Sequence, residues 1–184
     1  MTIADNKKIK TTMVAAGGVV YKFGENGELL VLLIQRSHED HWPDMWEFPR
    51  GKCDKPIGED PKHCVVREVK EETGLDVEVV RFIDKFIYLA DKATRKTICY
   101  NYLCKMKDLN QQVKLRVNPE SGIKEHQAYK WIMSAALSNL ALMPEQARTL
   151  RKVFTFDLTT EPEENKTDVI EEYLNRLQKE RTKN

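Results

Sequence analysis

Apolar positions change their spacing several times along the chain, and each change marks a predicted element. Met13–Tyr21 (MVAAGGVVY) is a run of small and apolar residues that predicts a first strand. Gly17 and Gly18 inside it mark a close backbone approach or a bulge. After a turn at Glu25-Asn26-Gly27, Leu29–Ile34 (LLVLLI) is continuously apolar, the pattern of a buried strand. Ser37–Asp44 is polar and gives way to a short extended piece, Met45-Trp46-Glu47-Phe48-Pro49. Arg50–Gly58, holding Gly51, Pro56 and Gly58, reads as a loop. A helix should follow, with Asp60 as N-cap, Pro61 at its first position, Gly74 as its stop, and Cys64, Val65, Val69 and the rim residue Val66 as its apolar side. Leu75–Ile87, Lys96–Cys104 and Tyr129–Ile132 predict further strands, and Pro144–Phe154 a second helix with Met143 and Leu150 as core candidates. From Asp157 the composition shifts to a linker, followed by a predicted amphipathic helix at Asp168–Lys179 with Thr167 as cap. Its acids come early and its bases late, as the helix dipole favours, and its seam of Val169, Ile170, Tyr173, Leu174 and Leu177 should dock on the domain itself. Strands interleaved with helices indicate a mixed α/β layered domain.

Composition narrows the class. The 184 residues amount to about one domain, and 41% hydrophobic with 32% charged residues is the balance of a chain that closes a core. Lys+Arg 30 against Asp+Glu 29 leaves a formal charge of +1, which excludes a charged disordered tail and disfavours holding nucleic acid by overall charge, while a local basic groove stays open. No stretch approaches the ~18 apolar residues needed to span a bilayer, so no membrane partner is expected. The start, MTIADNKKIKTTM, has neither the apolar core of a secretion signal nor the pattern of a transit peptide. Cys53, Cys64, Cys99 and Cys104 are too few for a disulfide scaffold and fit reduced thiols in the cytoplasm. A zinc site at Cys53, His63 and Cys64 lacks a fourth ligand and regular spacing.

The informative segment is Glu59–Leu75, EDPKHCVVREVKEETGL. Glu68, Glu71 and Glu72 are spaced i, i+3, i+4 and fall on one side of a single helical turn. Glu68 and Glu72 repel each other, and Arg67 can pair with Glu71 only in the less favourable orientation. The cluster also precedes Gly74, at the negative end of the helix dipole, where each carboxylate is disfavoured by roughly 0.3–1 kcal/mol. A divalent cation would offset this. Hard oxygen ligands without His or Cys point to Mg²⁺ or Mn²⁺, whose usual partners are substrate phosphates. Spacing alone leaves two readings open, metal-assisted phosphate chemistry and a solvated charged face. The preceding Phe48-Pro49-Arg50-Gly51-Lys52 brings bare backbone and two cations to the same place, suited to phosphate oxygens.

These residues resemble the signature of the Nudix hydrolases, in which Gly, five residues, Glu and seven residues lead into Arg-Glu-apolar-x-Glu-Glu-x-Gly-apolar. Here Glu59, seven residues and Arg67-Glu68-Val69-Lys70-Glu71-Glu72-Thr73-Gly74-Leu75 match it, whereas seven residues separate Gly51 from Glu59. The two extra residues fall near Lys55-Pro56-Ile57-Gly58, where lengthening a loop is cheap. Downstream, Glu125-His126-Gln127-Ala128-Tyr129-Lys130-Trp131 and the spaced Tyr88 and Lys96 are similar to the asymmetrical diadenosine tetraphosphate hydrolase branch. Met45 stands where that branch has a His. The resemblance implies a Nudix α/β/α sandwich, a mixed sheet between helices, over residues 9–156, with 157–184 as linker and C-terminal helix. It implies a metal site of Glu68, Glu71, Glu72, Glu125 and the Gly51 carbonyl, with Glu68 or Glu125 as proton acceptor and Glu71 in the catalytic set. Arg67 and Glu59 would support that site from behind. Arg50, Lys52 and Lys96 would contact phosphates, and Tyr88 and Tyr129 would stack a base. Taken from strand position alone both tyrosines read as core, and His126 reads as a hydrogen-bonded surface residue. The implied reaction is hydrolysis of a small-molecule nucleotide, diadenosine tetraphosphate to ATP and AMP. An RNA 5′-end pyrophosphohydrolase, with Lys52, Lys55 and Lys62 tracking RNA, is the alternative enzyme, and a catalytically dead RNA- or protein-binding module is the third reading. No protein partner is indicated.

Overall fold

The computed structural model describes residues 11–53, 58–90, 94–117, 122 and 124–158. The C-terminal helix and most of the linker expected before it, Lys55 and the two-residue insertion lie outside them. The elements are β1 (Thr11–Phe23), β2 (Leu29–Arg36), β3 (Trp46–Glu47), β4 (Arg50–Lys52), α1 (Pro61–Thr73), β5 (Val77–Ala90), β6 (Arg95–Met106), β7 (His126–Ile132), a 3-10 turn at Ser134–Asn139, and α2 (Pro144–Val153). The sheet is mixed: β1 and β6 run parallel, and the other pairs antiparallel, in the order β3-β2-β1-β6-β5 with β7 added beside β2.

Alternation along β1 explains the two layers. Ala16 and Val20 face α1 in a core with Leu32, Cys64, Val65, Val69, Tyr100 and Tyr102. Val19 and Tyr21 face the other way, into a core with Leu33, Trp46, Phe48, Leu150 and Val153 of α2. The expected α/β/α sandwich is therefore present. Gly18 is the close-approach glycine: a Cβ there would meet Val69 at 2.6 Å and Val65 at 2.9 Å, so a bare backbone lets α1 lie flat on β1. Of the two core candidates near α2, Leu150 is fully buried and Met143 half-buried.

One edge of β1 is shared. Its start pairs with β4 (Ala15–Gly17 against Arg50–Lys52) and its end with β2 (Tyr21–Phe23 against Leu29–Val31). Between them the sheet parts, and Trp46–Pro49 crosses the gap, pinned where Gly18 donates to the Pro49 carbonyl at 2.8 Å. Arg50–Lys52 is thus a strand, which corrects the loop expected from Gly51 and Pro56. Only three residues pair, too few to leave a periodic signal. β7 also begins at His126, three residues before the expected start, because its pairing with β2 runs on to Gln35 and, across a bulge, to Arg36.

Candidate active site

The site lies where α1 crosses β4. Asp60 caps α1 by accepting from the Lys62 N–H at 2.7 Å, and Gly74, at φ 73°, closes it through a bond from its N–H to the Lys70 carbonyl. This register turns Glu68 and Glu72 inward and leaves Glu71 outward. Glu68 lies directly over the Gly51 backbone, where any Cβ would collide with its carboxylate. Glu72 accepts from the Arg50 N–H at 3.0 Å. Donor atoms of Glu72, Glu125 and His126 lie within 4.8 Å of one another, so Glu125, just before β7, meets Glu72 of the helix.

Burial pushes the Glu68 carboxyl up, against the charge of Arg67, and Glu71 and Glu59 add to the rise. Glu72 is driven well above the usual carboxylate range by burial first, then by Glu47 and Glu68, with the Arg50 N–H opposing and Glu125 adding. Two inward carboxylates that resist ionisation, with Glu125 beside Glu72 and Gly51 beneath Glu68, offer oxygen donors that fit a hard divalent cation, while the neighbouring His126 Nε2 is engaged by Glu47. Glu68, Glu72, Glu125 and the Gly51 carbonyl are the groups that would hold it.

Two braces hold these groups. Arg67 donates to Glu59 (2.7 and 3.0 Å), Glu68 (2.9 Å), Glu71 (3.3 Å) and the Lys52 carbonyl (3.0 Å), tying helix, loop and β4 together. Arg67 therefore meets more than Glu71, and Arg116 reaches Glu71 from outside at 3.2 Å. The second brace centres on Glu47, 2% exposed, which accepts from Arg36 (2.6 Å), Arg50 (3.2 Å) and Gln146 (3.3 Å) and meets His126 at 3.3 Å. Burial pushes the Glu47 carboxyl up, but the bond with His126 and the charges of Arg50 and Arg36 outweigh it and hold it below the usual range. His126 is thus buried inside this brace, which corrects its reading as a surface residue: neighbouring β2 and β3 cover it.

The remaining expected residues divide. The Arg50 guanidinium lies 5.8 Å from the centre of the Tyr88 ring, so Arg50 and Tyr88 share one side of the sheet. Tyr129, 44% exposed, stands in register with Ile34 and Glu47 and is not core, whereas Tyr88 is half-buried and packs against the small cluster of Ala15, Phe86 and Cys99. Lys96 lies on the opposite side of the β5–β6 hairpin from Tyr88, because Tyr88 pairs with Thr97 and neighbours alternate. Lys52 is exposed beside the site. Sequence reasoning missed Glu47, Arg36, Gln146 and Arg116. Glu47 had a signal: a charge flanked by Trp46 and Phe48 in an apolar piece requires buried partners.

A sheet parted beside a carboxylate-bearing helix, with glycine backbone beneath Glu68, gives a site able to hold a hard cation. The chain belongs to the Nudix hydrolase family, whose NUDIX domain matches residues 11–154. It is 30% identical over 139 residues to the asymmetrical bis(5′-nucleosyl)-tetraphosphatase of Mus musculus, covering 74% of this chain and 86% of the mouse protein. An RNA pyrophosphohydrolase of Nitratiruptor sp. is 51% identical over 39 residues, 21% of this chain and 24% of that protein. The C. elegans Ap4A hydrolase, in a binary complex, superposes with a TM-score of 0.59 at 26% identity, covering 77% of this chain and 94% of the other. Enzymes of this family use divalent metal ions. Among the described residues, no helix is long and apolar enough to cross a membrane.

Proposed function

We propose that this chain hydrolyses dinucleoside polyphosphates, diadenosine tetraphosphate to ATP and AMP above all, with Mg²⁺ or Mn²⁺ held by Glu68, Glu72, Glu125 and the Gly51 carbonyl, and Glu71 at the rim. Glu68 packed on a Gly51 backbone with no room for a Cβ, and Glu72 held by the adjacent Arg50 N–H within reach of Glu125, is the observation that carries this reading. The relationship to the mouse tetraphosphatase, over most of both chains, supports the substrate class. A divalent ion there supplies neutralising charge to phosphate oxygens and makes water a stronger acid. Tyr129 offers an exposed ring to a base, and Arg50 and Lys52 offer cations to the phosphate chain. Water adds its oxygen to phosphorus, the anhydride P–O bond breaks toward the departing nucleotide, and Glu125 or Glu68 accepts the proton. The test is turnover of a dinucleotide panel in ¹⁸O water with Mg²⁺. Label in AMP means attack at the α-phosphorus, label in ATP means attack one phosphorus further along, and no dinucleotide turnover removes this substrate.

The short, high-identity match to an RNA pyrophosphohydrolase favours an RNA 5′ end as the second reading. Salt separates the two. RNA binding should weaken steeply between low and moderate salt, and binding of a small nucleotide much less.

A further inference from the structure

Beside the acid site lies a second cluster that the reaction does not use. Cys53 and Cys64 place their sulfurs and a Glu59 carboxylate oxygen within 4.8 Å of one another. Both side chains are buried, Cys53 keeping 5% of its surface exposed and Cys64 none. Their placement follows from the two periods of strand and helix. Cys53 is two residues beyond Gly51 and so points to the same side of the sheet; Cys64 is four residues before Glu68 and so lies on the same face of α1. The thiol pair therefore repeats the Gly51–Glu68 contact one step along the same strand–helix crossing. The Cys53 N–H is fixed to the Val14 carbonyl at 3.1 Å, so the strand register continues through the thiol. Arg67, which holds Glu59 and Glu68, also reaches the Cys64 sulfur at 3.9 Å. That guanidinium opposes a metal cation between the thiols, whereas a disulfide carries no charge.

We propose that Cys53 and Cys64 are a disulfide-forming pair, closed by a peroxide, and that closing it weakens divalent-metal binding at Gly51 and Glu68. The coupling rests on the metal site under Proposed function. One thiol displaces water from the peroxide to become a sulfenic acid. The second thiol attacks that sulfur, the S–S bond forms, and hydroxide leaves with the thiol proton as water. Two thiols lose two electrons and two protons in all, and one peroxide becomes two waters. Pulling the sulfurs from non-bonded contact into a bond draws β4 and α1 together, beside a place where Glu68 already leaves no room for a methyl group. The carboxylate must shift, and the site loses its geometry.

The test treats the full chain with hydrogen peroxide, maps the cysteines by mass spectrometry and titrates Mn²⁺ by electron paramagnetic resonance. The expected result is a peptide linking Cys53 to Cys64, because Cys53 keeps some surface to meet the peroxide and Cys64 lies beside it. Cys99 and Cys104 should stay thiols, being fully buried and five residues apart on β6, on opposite sides of the sheet. Mn²⁺ affinity should fall by about tenfold or more, the scale of losing a group that orients a ligand, and return with dithiothreitol. Cys53→Ser, or Cys64→Ser should the first misfold, should bind Mn²⁺ as before and be indifferent to peroxide. Separate sulfinic acids without a link, a link that leaves Mn²⁺ affinity unchanged, or zinc released on oxidation would each overturn the proposal. Wild-type peptide mapping decides the first step whether or not either variant folds. Neither readout involves a nucleotide, so a wrong substrate leaves both intact, and a reduced chain that binds no Mn²⁺ marks failure of the metal site itself.

Discussion

Glu72 bears the sharpest conflict in the molecule, a buried carboxyl facing Glu47, Glu68 and Glu125. Its raised folded-state pKa means that the folded chain takes up a proton before the unfolded one does. The metal-free protein should therefore lose stability as pH rises from the unfolded value of 4.5 through the folded one, and added Mg²⁺ should restore it. Glu72→Gln should raise the metal-free melting temperature while lowering turnover by about 100-fold or more; thermal melts without Mg²⁺ check the first and rate assays with Mg²⁺ the second. Metal and proton compete for the same oxygens, so apparent Mg²⁺ affinity should climb with pH through the same window. Gly51→Ala should lower metal affinity although every acid is retained, because the added methyl displaces Glu68. The acids were legible from their register and their place at the wrong end of a helix dipole. That only two of the three turn inward was not, since side-chain depth depends on β4, a strand too short to read. Glu47 was legible only as an anomaly, because its partners His126 and Gln146 lie 79 and 99 residues further along the chain.

Caps and glycines set α1 visibly in the sequence: Asp60, Pro61 and Gly74 mark its limits, and Val65 and Val69 its buried side. How α2 is held was not visible. Asp84 of β5, buried, accepts from Asn101 of β6 at 2.9 Å and from Thr149 and Lys152 of α2 at 3.0 and 2.8 Å. Burial pushes this carboxyl up, but the bonds from Lys152, Asn101 and Thr149 outweigh it and hold it below its ordinary 3.8. A depressed folded-state pKa stabilises above the unfolded value and fades as pH falls through the folded one, so this support should persist to mildly acidic pH and disappear below about 3.8. Asp84→Ala should cost about 3 kcal/mol in urea unfolding, by leaving buried donors without their acceptor. The loop from Ser37 to Met45 shows the same limit of local reading. Asp44, at φ 62°, is pinned by Gln35 (3.0 Å), His38 (2.8 Å) and Gln127 (2.7 Å), an arrangement that depends on β7.

For the whole molecule, alternating burial along β1 and amphipathic helices made the layered sandwich legible, whereas the parting of the sheet beside β1 followed from pairings no periodicity reveals. The functional reading combines both: the parted sheet makes room, the Glu47 brace presents Arg50, and α1 delivers the acids. Its central claim is that the crowded end of α1 is a divalent-cation site. Mn²⁺ titration of the reduced wild-type chain and of Glu68→Gln, followed by paramagnetic resonance at neutral pH, tests this most directly. The account predicts saturable binding to the wild type and a loss of about tenfold or more in affinity for the variant, with its fold retained. Equal binding by the two chains, or none by the wild type, would contradict it.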